Sequence, residues 1–293
     1  MVQWSTEARH PSSEGLHAAD GVEAMTRLLA AQVAALDSLR LAIPVLDTAA
    51  TAAAEALRAG GKLGYAGAGS SGLMALADCL ELFGTFGIAP DRTPMMFAGG
   101  VAALLSMTGA VEDDRELAIA DLAAAGLTEG DVVICLSASG QTPYTLVVAE
   151  AAARRGVTVI GIANVAGSAL LEAADLAILL DTGPEVVSGS TRLGAATAQK
   201  VALNMLSVLV GVRLGHVHDG YMVNVVADNA KLRDRASRIV AALSRESLSV
   251  SRRALEMTGG AVKPAVLVAR GRTMADALKD LERSAGHLAP HLK

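Results

Sequence analysis

Three hydroxyl side chains fall within six residues at Ser137-Ala-Ser139-Gly140-Gln141-Thr142, directly ahead of a helical pattern. The first turn of a helix leaves N–H groups unbonded and carries the positive end of the helix dipole, so hydroxyls placed there add donors aimed at the same point. A phosphate dianion is the ligand that such a nest suits. Helix capping is the competing use of these side chains, but one cap needs one hydroxyl and not three. A second small-residue loop, Gly67-Ala-Gly69-Ser70-Ser71-Gly72, formally matches the dinucleotide fingerprint G-x-G-x-x-G. That reading requires an acidic residue ending a second strand about twenty residues on. Asp91 has the spacing, but TFGIAPDRT around it makes a poor strand. A purely structural tight turn is the other alternative for this loop.

Two carboxylates are candidates for acid–base work. Glu81 sits in ADCLELFG, near the end of the helix that the first loop opens, and Glu112 sits in GAVEDDRE. The plain alternatives are one polar position on a helix for Glu81 and a solvated acidic turn for Glu112. Glu185, in GPEVVSGS, either lines a cleft or caps the long helix that follows, and Arg192 either holds an anion or pairs at that helix start. His216 and His218 are two apart and would share a strand face. Without a third ligand at suitable spacing, they read as surface or interface histidines and no metal is expected. Cys79 and Cys135, both in apolar segments, read as buried reduced thiols.

The elements that must position these groups follow from periodicity. Residues 1–20 read as a polar arm. A helical pattern from Gly21 to Gly60 is expected to break at Pro44 into two helices. Strands are expected at Lys62–Ala66, Met95–Phe97, Asp131–Leu136, Val157–Ala163 and Leu176–Leu180. Helices are expected from the first loop to Leu82, at Ala102–Thr108, Tyr144–Arg155 and Ala169–Ala174, and from Thr191 to Leu214. Alternation of continuously apolar strands with helices implies a three-layer α/β/α sandwich around a parallel sheet, with both loops at carboxyl ends of strands, where ligands bind. The expected division is an N-terminal arm and helices over 1–60, a ligand-binding domain over 61–234 and a small helical C-terminal domain over 235–293. Within the last, Ala265–Ala269 is apolar enough for a strand.

The chain has 293 residues, is 52% apolar and carries a formal net charge of −5 with scattered Lys and Arg, so no nucleic-acid footprint is present. Only seven aromatic side chains argue further against base stacking. The N-terminal residues hold no apolar run of signal-peptide length, and Val201–Val212 is too short to span a bilayer. A cytoplasmic protein without membrane attachment is expected, with an apolar subunit interface.

The loops resemble those of the sugar isomerase (SIS) fold. More closely, residues 5–240 resemble the bacterial N-acetylmuramic acid 6-phosphate etherase family. The matching segments are STEARHPSS (5–13), GAGSSG (67–72), the Glu81 segment, AGG (98–100) with AVEDD (110–114), SASGQTPY (137–144), GPEVVSGSTRLGAATAQKVALNMLS (183–207) and NAKLRDRA (229–236). The resemblance implies a sugar phosphate ligand held by Gly69, Ser70, Ser71, Gly72, Ser137, Ser139, Gly140, Gln141 and Thr142. It implies Glu112 as base and Glu81 as acid in removing a D-lactyl ether by elimination and hydration, with no metal or organic cofactor. Burial beside Leu80, Leu82 and Phe83 is expected to keep Glu81 protonated. SIS-type proteins complete their clefts with a second subunit, so a homodimer is expected, with the helix near Leu203–Val212 as its seam. Three family cations are replaced here by Leu73, Gln141 and Gly194, and His10 stands where Asn is usual. A phosphosugar isomerase, or a phosphosugar-binding regulator without catalysis, is the alternative on the same fold. The isomerase reading lacks a histidine in any cleft motif.

Overall fold

The computed structural model describes residues 5–107 and 109–292, and they form two compact units. The first comprises Met1–Cys79 and Asp91–Leu206, the second Leu80–Pro90 and Ser207–Lys293. The helices α1 (Gly21–Ala35) and α2 (Ser38–Arg58) lead into β1 (Leu63–Gly67) and α3 (Gly69–Phe86). Next come β2 (Met95–Phe97), α4 (Gly100–Leu105), α5 (Arg115–Ala125), β3 (Val132–Ser137), α6 (Pro143–Ala153), β4 (Thr158–Ala163), α7 (Ala169–Ala173), β5 (Leu176–Leu179) and α8 (Gly194–Arg213). The five strands form one parallel sheet in the order β2-β1-β3-β4-β5.

Strands β1, β3 and β4 are buried on both faces, as the unbroken apolar runs require. One face packs Ala66, Val133, Cys135 and Val159 against Ala118 and Leu122 of α5, Val148 of α6 and Leu170 of α7. Helix α2 packs on β1, β3 and β5 and presents Ala49, Ala50, Ala53 and Ala54, all fully buried, so its backbone approaches the sheet closely. Ala195, Ala196 and Ala198 of α8 are buried in the same way. Both thiols are buried and free. Burial pushes Cys135 up to about 12 and Cys79 up to about 11, which removes them as nucleophiles near neutral pH.

The N-terminal helices break elsewhere than expected. Pro44 lies inside α2, and the chain turns at Leu36 and Asp37, where the Ser38 hydroxyl donates to the Ala35 carbonyl at 2.7 Å. Pro44 is exposed, so the carbonyl that loses its helical partner can bond water instead. The helix α5 has no counterpart among the expected elements, and the expected end of α4 at Thr108 lies outside the described residues.

In the second unit a two-residue hairpin, β6 (Val217–His218) with β7 (Tyr221–Met222), precedes the helices α9 (Ala230–Ser244), α10 (Leu248–Met257), α11 (Val262–Ala269) and α12 (Met274–Arg283). Ile239, Val240, Leu255, Val266 and Leu281 meet in its core. Ala265–Ala269, apolar enough for a strand, is part of α11, where Ala265, Val266 and Leu267 are buried among the helices and Val268 and Ala269 partly so. His216 and His218 stand beside and in the hairpin, and the described residues contain no group of three or more metal-ligating side chains. The expected subunit seam on α8 is only partly available: Leu203, Leu206 and Val210 are fully buried in the chain's own core, and Met205, Val208 and Val212 remain exposed.

Candidate functional site

A cleft of about 390 Å³ opens at the carboxyl ends of β1 and β3, lined by the two Gly/Ser loops. Gly69, Ser70 and Ser71 come from the first loop, Ala138, Ser139 and Thr142 from the second, and Glu112 reaches in from the turn after α4. Thr6, Glu7, Met107, Gly189 and Thr191 complete the wall. Both loops therefore face one space, which is what a single shared anion requires. Gly72, Ser137, Gly140 and Gln141 belong to the same two loops but are not among the residues that line the cleft.

Ser137 is the hub of the second loop. Its hydroxyl accepts the Gly140 N–H at 3.0 Å and shares hydrogen bonds with Thr142 Oγ1 at 2.8 Å and Ser139 Oγ at 3.4 Å. Ser139 Oγ accepts the Gln141 N–H at 3.1 Å, which leaves its proton to donate. Thr142 occupies the N-cap position of α6 and Pro143 its first turn, yet no side chain caps the helix. The hydroxyls are thus not consumed by capping, and the positive end of α6 is left for a ligand. Gly140 holds a left-handed φ of 65°, and a Cβ there would overlap Ser168 Oγ, so only glycine closes this turn.

The first loop works by absence of side chains. A Cβ on Gly67 would stand 2.9 Å from Gly72 Cα, and one on Gly72 would stand 2.8 Å from the Phe97 ring, so β1 and α3 meet backbone to backbone. At Gly69, with φ 52°, a Cβ would stand 2.7 Å from Glu112 Oε1. The Glu112 carboxylate therefore rests on bare backbone at the cleft floor. Burial first, and then the charge of Asp113, push its carboxyl above the ordinary carboxylate range, a direction that suits a proton acceptor working near neutrality.

Glu81 differs from expectation. It is exposed, and so are Leu80 (68%) and Phe83 (40%), while only Leu82 turns inward. A helix has one buried face, and three of the four consecutive residues point away from it, so the burial expected to hold Glu81 protonated is missing in the single chain. Glu81 belongs to the second unit and is not among the residues lining the cleft. Glu185 caps: its two oxygens accept the Gly194 and Ala195 N–H groups of α8, both at 2.9 Å, and it is 4% exposed. Arg192 is exposed and forms no ion pair among the described residues. His10 takes the Asn-like role of a cap acceptor, its Nδ1 receiving the Ser12 N–H at 2.9 Å. Asp91, the acid that a dinucleotide site would need, lies in a 3-10 turn and not at a strand end.

Among the described residues no Lys, Arg or His lines the cleft. The isomerase alternative lacks its histidine for the same reason. Glu7, Gly189 and Thr191 escaped residue-by-residue reading. The signal for them was the pair of family-like segments 5–13 and 183–207, which the structure brings together through the Gly189 N–H donating to the Thr6 carbonyl at 3.3 Å.

Sheet order and loop pair define a protein of the SIS class, and a family model for the SIS domain matches residues 30–164. A phosphoheptose isomerase structure from Francisella tularensis shares this fold, with a TM-score of 0.50, 20% identity and coverage of 66% of this chain and 98% of that one. The chain belongs to the N-acetylmuramic acid 6-phosphate etherase family. It is 40% identical over 96% of its length to the N-acetylmuramic acid 6-phosphate etherase of Deinococcus radiodurans, covering 93% of that protein. It is 44% identical over 77% of its length to that of Symbiobacterium thermophilum, covering 75% of it.

Proposed function

We propose that this protein is a carbon–oxygen lyase that removes the D-lactyl ether from N-acetylmuramic acid 6-phosphate in the cytoplasm. The observation that carries the reading is the Glu112 carboxylate resting on Gly69 in a cleft that also holds the hydroxyl loop and the open end of α6. The hydroxyls and amides take the phosphate. Opening of the sugar ring exposes an aldehyde at carbon 1, which makes the proton on carbon 2 acidic. Glu112 takes that proton, the electron pair forms a double bond between carbons 2 and 3, and the bond from carbon 3 to the ether oxygen breaks. A carboxylic acid protonates the departing oxygen, giving D-lactate, and water then adds across the double bond to leave N-acetylglucosamine 6-phosphate.

Glu81 is our candidate for the acid, supplied by a second copy of the chain. Support for this is that Glu81 is not among the residues lining the cleft, and that exposed Leu80 and Phe83 beside it form surface that a partner would bury. In the first unit Val22, Met25, Leu29 and Val33 form an exposed apolar stripe at helical spacing on α1, a second surface suited to self-association. The Gly21–Arg58 and Gly194–Arg213 stretches are long and apolar enough to cross a membrane by length and composition. More than half of the latter's apolar window is buried in the chain's own fold, and the former is interrupted by the turn at Leu36 and Asp37, with Arg27 and Arg40 on either side.

The test is release of D-lactate from N-acetylmuramic acid 6-phosphate. Glu112→Gln and Glu81→Gln should each slow release by about a thousandfold, and mixing the two impaired variants should restore part of it, since a mixed dimer contains one intact pair. The cation-free cleft favours a second reading, a regulator that binds phosphosugars without turnover. Tight binding with no lactate from the unmodified protein would select it.

A further inference from the structure

We propose that Glu7 is a specificity residue of this cleft, accepting hydrogen bonds from hydroxyl and acetamido N–H groups on the sugar portion of the ligand. The inference rests on the phosphosugar reading above and assigns the wall that reading leaves unused.

Glu7 belongs to the N-terminal arm, and its backbone is tied down on both sides. The Gly189 N–H donates to the Thr6 carbonyl at 3.3 Å, and the Ser188 hydroxyl donates to the Glu7 carbonyl at 2.9 Å. Thr6 is fully buried, whereas Glu7 is exposed to the cleft that it lines. Opposite its carboxylate the wall is again glycine. Gly189 has φ 74°, and a Cβ there would stand 3.0 Å from Glu7 Oε2, so any side chain would displace the carboxylate. The cleft keeps room for a carboxylate at two places, Glu112 over Gly69 and Glu7 over Gly189.

Charge decides what Glu7 faces. Its carboxylate forms no ion pair among the described residues, and no cation lines the cleft. Turned toward a phosphate dianion, it would repel the ligand at a distance where no counter-charge intervenes. A carboxylate is an acceptor only, so its use in this space is to meet O–H and N–H donors. An amino-sugar phosphate offers those donors on its ring substituents, away from the phosphate. Glu7 thus discriminates between the sugar and its anionic groups, and Glu112 stays free to act on the proton at carbon 2.

The test compares N-acetylglucosamine 6-phosphate with inorganic phosphate as ligands of the unmodified protein, Glu7→Gln and Glu7→Ala, by calorimetric titration and competition. Loss of a hydrogen bond to a charged group predicts about tenfold weaker sugar phosphate binding or more in Glu7→Ala, and a smaller loss in Glu7→Gln, whose amide oxygen still accepts. Inorganic phosphate affinity and melting temperature should be unchanged. Unaltered sugar phosphate affinity in both variants overturns the assignment. An equal loss for inorganic phosphate also overturns it, since Glu7 would then be only a prop of the arm. Failure of the unmodified protein to bind the sugar phosphate is seen in the first titration and defeats the phosphosugar reading itself.

Discussion

The two Gly/Ser loops look like copies of one another, and they do opposite things. In the second loop side chains shape the cleft: Ser137 bonds to both Ser139 and Thr142, and those two hydroxyls line the cleft at the mouth of α6. In the first loop missing side chains carry it: Gly67 and Gly72 let strand and helix touch, and Gly69 leaves the space that the Glu112 carboxylate fills. Small residues serve one loop as a hydrogen-bonding surface and the other as room for the Glu112 carboxylate, the base of the reaction we propose. The division predicts that damage to the second loop weakens binding, whereas damage around the first slows turnover.

The largest expected effect lies on the first-loop side. Glu112→Gln keeps the shape and removes the base, so kcat for lactate release should fall by about a thousandfold, within the range for loss of a positioned proton acceptor. Sugar phosphate affinity should stay within about twofold, because the hydroxyl nest is untouched. A large loss of affinity with little loss of kcat would invert the assignment of the two loops. Next in size is the pair of glycine substitutions. Gly69→Ala adds a Cβ 2.7 Å from Glu112 Oε1, and displacing the base by about 1 Å predicts about a hundredfold loss, expressed in kcat. Gly140→Ala overlaps Ser168 in a left-handed turn, and its loss should appear in KM and in phosphate affinity. If both variants fail in the same kinetic constant, the comparison is wrong. Smaller again is Ser139→Ala, which removes one donor to a charged ligand and should weaken phosphate binding about tenfold at unchanged kcat.

How far this division is legible in the sequence depends on which interaction sets each residue's position. The sheet is legible because its strands are buried on both faces, and unbroken apolar runs between turn signals have few other uses. The hydroxyl loop is legible because three local donors before a helix exceed what capping can use. Glu185 is not decidable from its neighbours: lining and capping both put a carboxylate ahead of α8, and the choice is made by Gly194 and Ala195, whose N–H groups converge on it. The break at Leu36 instead of Pro44 reflects a proline on a solvated face, where its lost hydrogen bond is cheap. Glu81 misleads because apolar neighbours in sequence point in different directions on a helix, so Leu80 and Phe83 do not enclose it. Glu7 is invisible to local reading, since its role depends on Gly189, far along the chain.

The smallest effect separates the loops by pH. Burial and Asp113 raise the Glu112 carboxyl above its ordinary value, so the folded chain disfavours its charged form. For a carboxyl raised in the folded state, the contribution to stability is fully present below the unfolded pKa, about 4.3 for glutamate, and is lost as pH rises through the folded value. Glutamine carries no charge at any pH and escapes that loss. Glu112→Gln should therefore melt higher than the unmodified protein near pH 7, by on the order of one degree because the group is only half buried. The gain should shrink to nothing below about pH 4. Ser139→Ala removes no titrating group, and its melting difference should be flat across the same range. A flat profile for Glu112→Gln as well would mean that the carboxylate rests on Gly69 without any cost of desolvation, and that the first loop prepares no base.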